Sequence, residues 1–179
     1  MEYSFSVKIP KKRIGVLIGS DGETKKELEE QTNAKLNIDS QEGDVIMVGE
    51  DSIKLYTLRS VVKAIGRGFN PDIAQLLLRQ DYNLELVNIL DYVNNRDNLG
   101  RVKGRVIGKK GKSRETIEKL SETYISVFGK TVGIIGKPEN ITIARRAVES
   151  LCLGSPHSNV YSFLEKHRRR MKEQELLDW

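Results

Sequence analysis

The sequence predicts an α+β protein: two consecutive units of one element order, β-α-α-β-β-α, followed by a further C-terminal helix. Three observations carry this. Gly19-Ser20-Asp21-Gly22 recurs as Gly108-Lys109-Lys110-Gly111, 89 residues on, and each separates two short helical patterns. Gly49 recurs as Gly136, 87 residues on, and each precedes a longer amphipathic pattern. Around these glycines, stretches of period two alternate with stretches of helical period in the same order. The second copy is thus two residues shorter, a difference best placed in its hairpin loop.

In the first copy, Tyr3, Phe5, Val7 and Ile9 alternate with Ser4, Ser6 and Lys8, the pattern of a half-buried strand, and Pro10 stops it. Ile14, Leu17 and Ile18 give a short helix up to Gly19. A second helix follows the glycine turn, with Leu28 on a charged surface and an end near Thr32-Asn33. Residues 35–39 and 44–48 flank Ser40-Gln41-Glu42-Gly43 as a hairpin. Gly49-Glu50-Asp51-Ser52 supplies capping chemistry for a helix carrying Ile53, Leu55, Leu58, Val61, Val62 and Ile65. We expect this unit over 1–66 and a linker over 67–81.

The second copy is expected over 82–153. Residues 82–90 read as a strand and 98–107 lead by a helical pattern into Gly108. A second helix follows Gly111. Residues 125–128 and 131–135 flank a tight Gly129-Lys130 turn, and Pro138-Glu139 opens a helix carrying Ile141, Ala144, Ala147, Val148 and Leu151. Residues 154–179 read as a basic helical tail, with Ser155 as its cap and Pro156 in its first position. Val160, Leu164, His167 and Met171 share one side of it, next to a basic cluster of Lys166, Arg168, Arg169, Arg170 and Lys172.

Charge is unevenly placed. Residues 1–66 hold ten basic and eleven acidic side chains, whereas 101–119 alone hold eight basic against two acidic, a local +6 that exceeds the +5 of the whole chain. Such a stretch points to a polyanionic partner. No run of about 18 apolar residues is present, so no membrane span is expected. The first residues lack a secretory signal pattern, which together with the single Cys152 reads as an intracellular, cytoplasmic protein with an inert thiol.

Catalysis is not expected. Gly111-Lys112-Ser113 ends like a nucleotide-binding P-loop, but Val106 stands where the first glycine would be required. His157 and His167 have no companion ligands at metal-site spacing, so no metal or cofactor is expected. A second Gly-x-x-Gly, Gly133 to Gly136, is uncharged and falls in a predicted strand, where it reads as sheet packing.

The charged turn itself suits phosphates. Backbone N–H groups at the second helix's start lack intrahelical partners, and glycine lets a sugar-phosphate chain approach without a Cβ in the way. The helix dipole and Lys109 and Lys110 add positive potential. Val106-Ile107-Gly108-Lys109-Lys110-Gly111 within this element order resembles the K-homology (KH) domain of the type with a C-terminal helix. Leu17-Ile18-Gly19-Ser20-Asp21-Gly22 is similar, and together the two cover nearly all of 3–153. The resemblance implies two tandem type I KH domains, each a three-stranded antiparallel sheet with helices on one face. It also implies single-stranded RNA held at the turn, about four nucleotides per domain. The RNA-contacting residues it suggests in the second copy are Arg101, Lys103, Arg105, Ile107, Gly108, Lys109, Lys110, Gly111, Lys112 and Arg114, although Val106 and Ile107 read first as core. In the first copy they are Lys12, Arg13, Gly19, Ser20, Asp21 and Gly22. Asp21 repels phosphate, so unequal labour is expected, with the second copy as the main grip. Glu115, Glu118 and Lys119 read as ordinary helix-surface pairs.

Gly154-Ser155-Pro156-His157, Val160-Tyr161 and the arginine run narrow the resemblance to archaeal relatives of the partner-of-Nob and Krr group of KH proteins, factors of small ribosomal subunit assembly. That implies small-subunit rRNA near its 3′ end as partner, together with other ribosome-assembly or translation-initiation proteins. Two other readings stay open: a protein-docking scaffold with little RNA binding of its own, and a general single-stranded RNA or mRNA regulator.

Overall fold

Alternation and its interruption by Pro10 place the first strand, β1 (Tyr3–Lys8), beside the first helix, α1 (Lys11–Ile18). This assignment comes from a computed structural model that describes residues 1–179. A single 3-10 turn, Ser20–Gly22, leads to α2 (Glu23–Thr32), and the hairpin β2 (Ala34–Ile38) and β3 (Asp44–Gly49) follows. Asp51 caps α3 (Ser52–Gly66), its carboxylate accepting from the Ile53 and Lys54 N–H groups at 3.0 and 3.1 Å. The sheet is antiparallel in the order β1-β3-β2. Phe5 and Leu36 both lie opposite Met47, so these three share one face, and Leu36 and Met47 are fully buried. Leu55, Leu58, Val61, Val62 and Ile65 of α3 join them in the core, while Ser6, Ile46 and Asn37 line up on the other face.

The segment 67–81, expected as a linker, is instead part of this unit. Asn70 accepts a hydrogen bond from the Asp72 N–H and Pro71 opens α4 (Pro71–Ala74), which runs into a 3-10 turn at Gln75–Leu78. Phe69, Ala74 and Leu77 are buried, with α4 and the turn packed on α3. The first compact unit accordingly extends to Leu84.

The second unit repeats the plan: β4 (Asn83–Asn88), α5 (Leu99–Ile107), a 3-10 turn at Lys109–Gly111, α6 (Lys112–Ser121), β5 (Tyr124–Phe128), β6 (Thr131–Gly136) and α7 (Pro138–Cys152). Its sheet order is β4-β6-β5. Ile38 pairs with Val45 in the first hairpin and Val127 with Val132 in the second, so the intervening loops differ by the expected two residues. Gly133 to Gly136 lies in β6, where all residues are buried, and a Cβ on Gly136 would stand 2.9 Å from the Thr123 side chain. That glycine serves packing, as its lack of charge predicts. Cys152 is buried in the core and burial pushes its thiol up to about 11, which leaves it protonated and inert.

The expected tail helix is α8 (His157–Leu177). Val160 and Leu164 are buried in the same core as Ile117 and Val148, and the helix packs on α6 and α7. It starts one residue later than expected, at His157, with Pro156 in the cap position and no side-chain cap. Ser155 is occupied otherwise: its N–H bonds to the Ser150 carbonyl and its own carbonyl accepts from Arg105. Leu164→Ala is expected to cost the second unit about 2–4 kcal/mol, the usual cost of truncating a fully buried leucine. Urea unfolding followed by amide exchange in β5 and β6 would measure it. A change below about 0.5 kcal/mol would mean that α8 is dispensable.

Candidate nucleic-acid interface

The two glycine turns have the same backbone. Gly19 and Gly108 sit at φ 77°, ψ 176° and φ 74°, ψ 175°, a region open essentially to glycine alone. Asp21 and Lys110 are both left-handed, at φ 53° and 54°, and Gly22 and Gly111 follow at φ 74° and 75°. Within each turn the last glycine's N–H bonds to the first glycine's carbonyl at 3.2 Å.

The two glycines of a turn have different reasons to be glycine. A Cβ on Gly108 would lie 2.6 Å from both Cβ and N of Ser113, and one on Gly19 would lie 2.3 Å from the Thr24 hydroxyl. The first glycine is therefore pressed against the following helix. Around Gly22 and Gly111 nothing lies within 4 Å of an added Cβ. The second glycine keeps open a space on the outside of the turn.

Two further contacts, repeated at the same offset, hold each turn's second helix to the sheet. Glu29 accepts from the Leu36 N–H at 2.8 Å, and Glu118 accepts from the Ile125 N–H at 2.9 Å. Glu118 is thus not merely a helix-surface partner, although it also pairs with Arg114 at 3.8 Å. The sequence signal was available: an acid seven residues before the strand residue it holds, in both copies.

Of the residues expected at the interface, Arg101, Lys109, Lys110 and Lys112 are exposed, and Lys103, Ile107, Gly108, Gly111 and Arg114 are half-buried along the same turn and its flanking helices. Val106 is fully buried, as a core residue should be, whereas Ile107 keeps part of its surface beside the turn. α6 opens on Gly111 without a side-chain cap, and the N–H groups of Gly111 and Lys112 bond back to the carbonyls of Gly108 and Lys109 within the turn. In the first unit Lys12, Ser20 and Asp21 are exposed, and Gly19 and Gly22 half-buried. There Asp21 and Glu23 put two acids at the helix start, where Lys110 and Lys112 stand in the second.

Arg105 and Arg13 have hydrogen-bond partners within the protein. Arg105 donates from Nε to the Leu151 carbonyl at 3.1 Å and from Nη2 to the Ser155 carbonyl at 2.5 Å. Its own carbonyl accepts from His157 Nε2 at 2.8 Å. Arg13 donates in the same way to the carbonyls of Ile65 at 2.7 Å and Phe69 at 2.8 Å, and burial lowers the pKa of its guanidinium. Each arginine ties the helix before its turn to the end of the unit's long helix, whose last carbonyls lack helical partners. Arg105→Ala is expected to destabilise the second unit by about 1–3 kcal/mol, because two charge-assisted bonds are lost, although the Leu151 carbonyl keeps its bond from the Gly154 N–H. A thermal or urea shift would show this, and an unchanged midpoint with reduced RNA affinity would return Arg105 to the interface.

Comparison with known proteins adds to this geometry. Residues 83–169 match the family described as eukaryotic type KH-domain (KH-domain type I), and residues 4–65 match the KH domain. A KH domain-containing protein of Methanocaldococcus jannaschii is 45% identical over 97% of this chain and 78% of its own length. The chain belongs to the tandem KH-domain proteins. One relative of this KH protein, the pre-rRNA-processing protein PNO1 of Coccidioides immitis, is 42% identical over 70% of the chain, which spans about half of that longer protein (46%). A chain in the crystal structure of an a/eIF2alpha-aDim2p-rRNA complex from Pyrococcus horikoshii is 46% identical. It superposes with a TM-score of 0.90 and covers 94% of this chain and 96% of its own. The two tandem KH domains, the three-stranded antiparallel sheets and the C-terminal helix expected from the sequence are all present. No helix of the KH protein is long and apolar enough to cross a membrane.

Proposed function

We propose that this KH protein is a non-enzymatic factor of small ribosomal subunit assembly, which binds single-stranded rRNA near the 3′ end and acts in the cytoplasm. The observation that carries this reading is the Gly108–Gly111 turn: two exposed lysines on a glycine-opened backbone, facing the uncapped start of α6 within a +6 stretch. A phosphate there gains the helix dipole and two flexible cations at once. The relatives support the rRNA assignment, since one is a pre-rRNA-processing protein and another was crystallised with rRNA. The same complex contains a/eIF2alpha, which makes a translation-initiation protein of that kind the protein partner to test.

The first unit supplies less grip. Asp21 occupies the position of Lys110 in a turn of the same backbone, so shape is kept while the charge is reversed. This favours positioning of the RNA or protein docking for that unit. Crosslinking the protein to RNA in cells and sequencing the attached fragments tests the whole reading. Fragments concentrated near the small-subunit rRNA 3′ end are expected, and fragments spread over messenger RNAs would replace it with the general-regulator reading.

A further inference from the structure

The arginine run of α8 has no part in the turn's chemistry, and its members have separate roles. Arg168 donates from Nη1 to the Lys119 carbonyl at 3.0 Å, which caps the end of α6 and holds α8 against it. Around that anchor are two adjoining recesses. The larger, about 240 Å³, is lined by Leu120, Glu165, Arg168, Arg169 and Lys172: three cations and one acid over an apolar floor. The smaller, about 70 Å³, shares Leu120, Arg168 and Lys172 and is closed by Glu122, Asn140 and His167 among others, with Glu175 at its edge.

We propose that this face of α8 is a second RNA-backbone site, with a phosphodiester in the larger recess against Arg169 and Lys172. The placement suits one continuous strand: the glycine turn stands at the start of α6 and the recesses at its end, about 15 Å apart for a helix of this length. The inference rests on the reading that the turn binds RNA, and it extends the contact beyond the four or so nucleotides a single KH domain takes.

The test uses the full chain with mixed-sequence single-stranded RNAs of about four and about sixteen nucleotides. R169E/K172E is expected to weaken the longer RNA about tenfold or more and to leave the short one unchanged. Both residues are exposed, and an unchanged melting curve controls for folding. Hydrogen exchange with the longer RNA is expected to slow at residues 165–172 as well as 108–111. Slowing at 108–111 alone, or equal affinity of R169E/K172E for the longer RNA, overturns the second site and leaves the turn standing. Slowing at neither removes both readings. Binding of polyglutamate that R169E/K172E abolishes, with RNA affinity untouched, would make this an acidic-protein surface instead.

Discussion

K109E/K110E is expected to lower affinity for single-stranded RNA by about 100-fold or more at roughly 0.1 M salt. Both side chains are exposed on the turn, and both stand at the positive end of α6, where the helix has no side-chain cap of its own. Reversal therefore removes two attractions and puts two repulsions against the same phosphates. Two lost phosphate contacts should also flatten the dependence of log affinity on log salt by about 1.4, at about 0.7 per contact for a single strand. Folding should survive. Lys110 holds a left-handed conformation at φ 54°, and the first unit keeps an acid, Asp21, in the same conformation at φ 53°. The companion variant S20A/D21A is expected to change affinity by less than about threefold, since it removes no cation. A larger effect from the first turn than from the second would overturn the unequal division of labour.

Substituting the two glycines of the second turn is expected to separate stability from binding. Gly108→Ala should cost about 3 kcal/mol or more, because φ 74° with ψ 175° excludes a side chain and the new methyl would meet Ser113 at 2.6 Å. The melting of the second unit reports that loss. Gly111→Ala carries only the left-handed penalty, about 1 kcal/mol, since no atom lies within 4 Å of the new methyl. Its effect should appear in RNA affinity, because the methyl occupies the space through which a sugar-phosphate chain approaches. Equal losses of stability at both positions, with RNA affinity per folded molecule unchanged, would remove the second glycine from the interface.

Both turns could be read in advance because their chemistry is local. Glycines at a fixed offset, the Asp51 cap and the Ser40–Gly43 hairpin each state a backbone demand within a few residues. Arg13 and Arg105 could not be read in the same way. An arginine that clamps a helix end and one that waits for phosphate give the same charge pattern, and the carbonyls that decide between them lie about 50 residues away in the chain. Residues 67–81 hid for a different reason: α4 has four residues, too few to show a period, and only Asn70-Pro71 announced it. For α8 the apolar side was plain in Val160 and Leu164, but not what it would pack against.

The two arginine clamps do not correspond by position. At the offset of the glycines Arg13 aligns with Val102 and Arg105 with Val16, yet each reaches one carbonyl near the end of a long helix and a second four residues on. The units are therefore alike as turns and unlike as fastenings. A chimera that exchanges α1 and α5 by alignment would deliver an intact glycine turn with its bolt one helical turn away from the hole. Interchangeability between the halves of this protein ends at the helix that leads into the turn.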